Sequence, residues 1–145
     1  MLPESIQLIV VIPERQLLQE TVVEVTIPGL DGELGILPGH APLITELGIG
    51  EMRYKTAVGG ETVPLAILRG FAEVLPDRVT VLAETAERAT EIDLARAEAA
   101  LARAQKRLAS SDTNIDWDRA SIALRRAVIR IQIARKYKGV PVDVR

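Results

Sequence analysis

The sequence predicts an antiparallel β-sandwich followed by a two-helix hairpin, on three observations. Short runs rich in β-branched residues, separated by turn dipeptides, fill residues 1–84. After Ala83 the apolar period changes from two to alternating three and four. A polar break at Ser110–Asn114 then divides two helical seams. This places a sandwich over residues 1–85 and a helical hairpin over 86–145, with helices over about 91–109 and 115–138.

The extended runs are Ile6–Ile12, Val22–Ile27, Met52–Ala57, Val63–Leu68, Phe71–Leu75 and Val79–Leu82. Asp31-Gly32, Pro38-Gly39, Gly59-Gly60 and Pro76-Asp77 separate them. Gly59-Gly60 suits a tight hairpin, because glycine reaches the positive φ that primed turns require. Leu75-Pro76-Asp77-Arg78 suits a type I turn, with proline presetting φ. Many short strands at close spacing point to a sandwich or barrel.

From Thr90 onward alanine, leucine, arginine and glutamate dominate, all good helix formers. Thr90 with Asp93 resembles a capping box. Leu94, Ala97, Leu101, Ala104 and Leu108 make one coiled-coil seam, and Trp117, Ala120, Leu124, Ala127, Ile131 and Ala134 make the second. Two seams joined by a short break form an antiparallel αα-hairpin. Arg135, Lys136, Lys138, Gly139 and Pro141 mark the end of the second helix by charge, left-handed cap and stop. Ile122, Ile129 and Ile133 form a second apolar stripe, which the sandwich or another protein should cover.

Composition narrows the chemistry. The chain has 145 residues, 48% of them apolar but only 3% aromatic, so the core must be aliphatic. There is no cysteine and one histidine, His40, which leaves no disulfide, thiolate site or histidine cluster. No apolar run approaches the roughly 18 residues that span a bilayer, and Met1–Glu4 does not read as a signal peptide, so direct membrane insertion is not expected. Charge is uneven: residues 1–84 hold twelve acids and five bases, residues 115–145 three acids and eight bases. Different partners are expected at the two ends.

No Gly-Lys dipeptide occurs, so there is no P-loop, and no serine sits in a G-x-S-x-G elbow. Glu46 and Glu51 read as solvated carboxylates rather than a catalytic pair. Catalysis on this chain is not expected. The Gly-Pro-rich stretch from Gly32 to Leu43 reads equally as a tight turn and as an exposed docking loop.

Three motifs then coincide. Gly32–His40 resembles the early loop motif of epsilon subunits of bacterial rotary F-type ATP synthases. Gly70-Phe71-Ala72-Glu73-Val74 resembles their later strand motif, and Ile92-Asp93-Leu94-Ala95-Arg96-Ala97 the I-D-x-x-R-A motif of their first C-terminal helix. The resemblance runs in order over about residues 2–138, with Arg69 standing where the family commonly has another glycine.

The resemblance implies a flattened sandwich of about ten strands and two helices. It implies a non-catalytic central-stalk subunit bound to the gamma subunit and the c-subunit ring, coupling proton flow to ATP synthesis. The complex would lie peripherally on the cytoplasmic face of the bacterial plasma membrane. Docking would fall on Glu33, Leu34, Gly35, Ile36, Leu37, Pro38, Gly39 and His40. An extended hairpin would inhibit ATP hydrolysis by meeting the alpha/beta catalytic hexamer through Arg119, Arg125, Arg126, Arg130 and Arg135.

In some members of that family the hairpin binds ATP. The matching positions are Glu87, Ile92, Asp93, Arg96, Ala97, Arg103, Arg126 and Arg130. Arg126 and Arg130 share a helix face, as do Arg96 and Arg103, so a folded hairpin could gather their guanidiniums around phosphates. The same arginines also suit a solvated helix face, and Asp93 a cap. No cofactor is required on this reading, with ATP as a regulatory ligand. The alternatives are a stand-alone ATP-binding regulatory protein, which has no use for the Gly32–His40 loop, and a nucleic-acid module, which the acidic chain lacking an aromatic platform disfavours.

Overall fold

A computed structural model describes residues 2–137. Contacts divide the chain into two compact units between Glu87 and Arg88.

The first unit is a seven-stranded mixed sheet: β1 (Ile6–Ile12), β2 (Arg15–Val22), β3 (Glu24–Gly29), β4 (Gly32–Ile36), β5 (Leu43–Lys55), β6 (Val63–Leu75) and β7 (Arg78–Arg88). The order is β2-β1-β7-β6-β5-β3-β4, and β1 lies parallel to β7. Outermost β2 supplies Leu17, Leu18 and Val22 to the same core cluster that receives Ile36 from β4 at the opposite edge. The sheet therefore folds over onto one face, which is the sandwich. Its core is aliphatic apart from Tyr54. Ile6, Leu8, Val10, Val22, Val25, Ile27, Ile36, Met52, Val74, Val79 and Val81 are fully withdrawn from water.

Seven strands replace the expected ten because the longest do not break. β5 and β6 each run for 13 residues and β7 for 11. Val63–Leu68 and Phe71–Leu75, expected as separate strands, belong to one β6, whose pairing with β5 keeps a single register from Tyr54↔Val63 to Leu43↔Val74. The bend between them is taken by Arg69 at φ 45 and Gly70 at φ 143. Arg69 thus sits in the left-handed region that glycine enters freely, and its guanidinium meets Glu84 at 3.0 Å.

Two strands depart from the sequence pattern. In β2 the register against β1 shifts between Val10 and Val11, leaving Leu17 as the extra residue of a bulge. Consecutive Leu17 and Leu18 can then both be buried, which defeats period two. The run expected at Val22–Ile27 is really the junction of β2 and β3, with Val23 donating its N–H to the Lys55 carbonyl at 2.8 Å. β4, which carries Gly32 and Gly35, occupies a stretch expected to be a turn or loop. The Gly59-Gly60 turn closes with a 2.9 Å bond from Gly60 N to the Ala57 carbonyl, but it lies inside a longer connection from Thr56 to Thr62 rather than forming a tight hairpin.

The second unit begins with a short 3-10 turn at Ala89–Glu91, followed by α1 (Leu94–Ala109) and α2 (Trp117–Tyr137). α1 starts three residues later than expected. Its cap is Asp93, whose carboxylate accepts the Arg96 N–H at 3.1 Å, and not Thr90. α2 is capped the same way by Asp116, which accepts from Arg119 N at 3.0 Å. Between them, Ser110 Oγ accepts from Asp112 N at 3.1 Å and Asp112 Oδ1 from Asn114 N at 2.9 Å, local bonds that compete with helix and break it. Ala97, Ala104, Ala120, Ala127, Ile131 and Ala134 are buried along the seam. Trp117, expected in the seam, is 48% exposed at the first residue of α2. Of the second stripe, Ile133 is fully buried and Ile122 and Ile129 are half-buried; the 3-10 turn packs against α2, and Ala89 and Ile92 are buried. The expected stop at Lys138, Gly139 and Pro141 lies outside the described residues.

Gly70→Ala will test the bend. A Cβ there would lie 2.0 Å from the Leu82 carbonyl oxygen and 2.9 Å from Ala83 Cα, at a φ alanine rarely adopts. We expect a loss of about 3 kcal/mol or failure to fold, read by thermal and urea melts. Gly35→Ala, with nothing within 4 Å of the added carbon, should stay within about 0.5 kcal/mol.

Candidate functional site

The two seams fix what happens on the flanks of the hairpin. At about 100° per residue, Arg96, Ala100 and Arg103 lie on one side of Ala97, and Arg126 and Arg130 on one side of Ala127. Antiparallel packing brings these sides together. Arg96, Ala99, Ala100, Arg103, Arg126 and Arg130 line a cleft of about 460 Å³. That volume falls in the range of small-molecule sites. No carboxylate is among its lining residues, and the Nε of Arg130 is withdrawn from solvent. Four guanidiniums around an open cleft suit a polyanion such as a triphosphate, held by paired charge-assisted bonds.

The eight candidate nucleotide positions therefore divide. Arg96, Arg103, Arg126 and Arg130 come together. Ala97 is fully buried in the seam, where its small side chain lets the helices approach. Ile92 is buried at the end of the 3-10 turn. Asp93 stands one turn before Ala97 with its carboxylate engaged as the cap. Glu87 closes the sheet unit in β7 and has interactions of its own. Ala99 and Ala100 line the cleft without being singled out by sequence pattern. Their signal is position alone, on the same flank as the arginines and too small to fill the cleft.

Among the arginines proposed for inhibitory contact, Arg119, Arg125 and Arg126 are exposed and Arg130 is half-buried. Arg135 differs. Its guanidinium donates to Glu98 Oε1 on α1 at 3.0 Å.

The stretch Glu33–His40 is not one loop. Glu33 to Ile36 belong to edge strand β4, paired with β3. Ile36 is fully buried and Leu34 packs on the core, so neither presents its side chain outward as a docking loop would. Two glycines hide the strand, since glycine weakens strand pattern. Leu37, 59% exposed, begins the turn; His40 N donates to the Leu37 carbonyl at 3.1 Å, and Gly39 N to the Pro76 carbonyl at 2.7 Å. His40 Nδ1 lies 2.7 Å from the Ala41 carbonyl. Glu33 takes a two-armed bond from Arg53 on β5, at 3.2 and 2.7 Å. That bond is the leading cause that raises the Arg53 pKa, against the opposing effect of desolvation. A second cleft, of about 380 Å³, adjoins Glu33 and is lined by Leu30, Asp31, Leu43, Thr45 and Glu46 among others. Asp31 is marked in the sequence only as part of the Asp31-Gly32 turn signal, and Leu30 and Thr45 have no distinguishing pattern.

Among the described residues no cluster of acids and histidine could hold a metal, and no helix is long and apolar enough to cross a membrane.

Comparison with known proteins supplies the class. The beta-sandwich domain of the ATP synthase delta/epsilon chain matches residues 5–89, and the long alpha-helix domain of the same chain matches 90–135. The ATP synthase epsilon chain of Syntrophobacter fumaroxidans is 47% identical over 133 residues, covering 92% of this chain and 98% of that one. That of Geobacter sulfurreducens is 48% identical over 136 residues, covering 92% and 96%. Among solved structures, a chain in the OSCP/F1/c-ring portion of the Euglena gracilis mitochondrial ATP synthase superimposes with a TM-score of 0.76 at 29% identity, over 86% of this chain and 78% of that one. A chain from the central stalk and c-ring of the Tetrahymena thermophila enzyme shares the fold, with TM-score 0.55 at 12% identity over 91% and 95%. A sandwich and a hairpin, each matched in order by a domain of the same chain, define a subunit of an ATP synthase. The chain belongs to the ATP synthase delta/epsilon chain family, as an epsilon-type member.

Two substitutions separate cap from ligand at Asp93. Asp93→Ala should lower the stability of the helical unit by about 1 kcal/mol, read by denaturant melts, whereas Asp93→Asn should retain most of it because asparagine caps nearly as well. Any loss of ATP binding in the asparagine variant then reports on the charge, not on folding.

Proposed function

We propose that this chain is the epsilon-type subunit of the central stalk. It binds the gamma subunit and the c-subunit ring through the sheet unit and brakes ATP hydrolysis through the hairpin. The observation that carries the regulatory part is the cleft in which Arg96, Arg103, Arg126 and Arg130 converge. With the hairpin closed, that cleft takes the phosphates of ATP. With it open, the arginines of α2, including Arg119 and Arg125, turn to the acidic surface of the alpha/beta hexamer. Each state excludes the other, so ATP opposes insertion and insertion opposes ATP by one coupling energy. The β3–β4 turn at Leu30-Asp31, the side chain of Glu33 and the turn at Leu37 are the surface offered to the ring, on the support of their exposure and of the adjoining cleft. The complex lies peripherally on the cytoplasmic face of the membrane, reached through these partners.

Calorimetry on the isolated chain tests the nucleotide reading. ATP should release heat, ADP less, and Arg126→Ala should weaken ATP binding at least tenfold, the scale of one lost charge-assisted bond. No heat up to millimolar ATP overturns it. Deleting residues 86–145 from the reconstituted synthase should raise its ATPase rate; an unchanged rate overturns the brake.

A further inference from the structure

The hairpin carries a second feature that the nucleotide reading does not use. Glu98 lies about 100° from Ala97 on the side opposite Arg96, and Arg135 about 80° from Ala127 on the side opposite Arg126. The ion pair and the arginine cleft therefore occupy opposite flanks of one seam. Arg135 Nη2 reaches Glu98 Oε1 at 3.0 Å, with side-chain exposures of 26% and 47%. The pair joins residues 37 apart in sequence, the first turns of α1 to the last of α2, at the end of the hairpin remote from its loop. Nothing covalent holds that end.

The fully buried positions of the seam between the flanks are mainly alanine, beside half-buried Leu94, Leu101, Leu108 and Leu124. Across it, the cleft gathers the side chains of Arg96, Arg103, Arg126 and Arg130. A tether on the far flank acts directly on the separation of the two helices.

We propose that the Glu98–Arg135 ion pair is the clamp that keeps the open end of the hairpin closed and thereby sets the width of the arginine cleft across the seam. Arg135 and Glu98 are positioning residues. In the closed hairpin Arg135 is held by Glu98, so opening releases one cation on α2 and one carboxylate on α1 together. The clamp rests on the closed hairpin alone; only its effect on ATP rests on the nucleotide reading.

The chain has no cysteine, so spin labels can be placed uniquely at Ala102→Cys and Gln132→Cys, both exposed positions. Electron–electron distance measurements on the full chain without nucleotide should show the open population rising roughly two- to fivefold in Glu98→Gln and in Arg135→Gln, the range expected of a partly exposed ion pair. The double swap Glu98→Arg/Arg135→Glu should restore the narrow distribution. With ATP as the probe, affinity should fall by the same factor in the single variants and recover in the swap. Unchanged distances in both single variants, or single variants that open while the swap does not reclose, overturn the clamp. An unsubstituted chain that binds no ATP, but whose distances respond as described, fails the nucleotide reading and upholds the clamp.

Discussion

Alanine at the helix seam is the constraint on which the rest of the helical unit depends. Ala97, Ala104, Ala120, Ala127 and Ala134 are all buried with little side chain to bury. Small residues let backbones pack near the low end of the usual interaxial range, about 8 Å. At that spacing, long side chains on the flanks reach across from one helix to the other. Arg96 and Arg103 then share a cleft with Arg126 and Arg130, and Glu98 reaches Arg135. Leucine at the same positions would bury more area and move the flanks apart. The chain thus combines convergent charge with modest apolar burial. On the proposed reading, caps at Asp93 and Asp116 and a flanking ion pair weigh in the balance between closed and open hairpins.

The sheet unit is built on the opposite plan. Its core is aliphatic apart from Tyr54 and free of buried charge among the described residues, and its two longest strands, β5 and β6, keep one register. Gly70 permits the bend because only a hydrogen fits against the Leu82 carbonyl. At β5, Gly50 leaves room for the Pro28 ring, whose carbon would lie 2.8 Å from an added Cβ. Such a platform suits the stalk role proposed for this unit. Its polar chemistry is at the surface, where Arg53 fastens Glu33 on edge strand β4. The acidic balance of this unit and the basic balance of α2 match the two different classes of neighbour proposed for them.

How much of the molecule is legible in the sequence follows from the range of the interactions involved. Runs such as Ile6–Ile12 announce themselves because each residue answers to its own local pattern. β2 does not, because burial of both Leu17 and Leu18 depends on a bulge defined only by its partner strand. β4 does not, because its glycines carry no side chain to show a pattern. Arg69, out of place against the family motif, is a residue at positive φ, which local pattern does not announce. In the hairpin, spacings of four and seven are enough to place the arginines on common faces, since helical period alone decides that. The roles of Ala99 and Ala100, and the Glu98–Arg135 pair, depend on the relative register of α1 and α2, which the Ser110–Asp116 connection sets. Local period reads faces; it does not read register.

That register also decides what kind of switch the hairpin can be. On the proposed reading, a seam whose fully buried positions are mainly alanine keeps the closed hairpin from greatly outweighing an open one. A ligand shifts such an equilibrium only by its differential affinity for the two states, and a tenfold preference corresponds to about 1.4 kcal/mol. One or two guanidinium–phosphate contacts supply that much. Weak burial at the seam and strong charge on its flanks are therefore complementary. On the proposed reading, the first keeps the two states close in free energy, and the second gives a small anion purchase to choose between them.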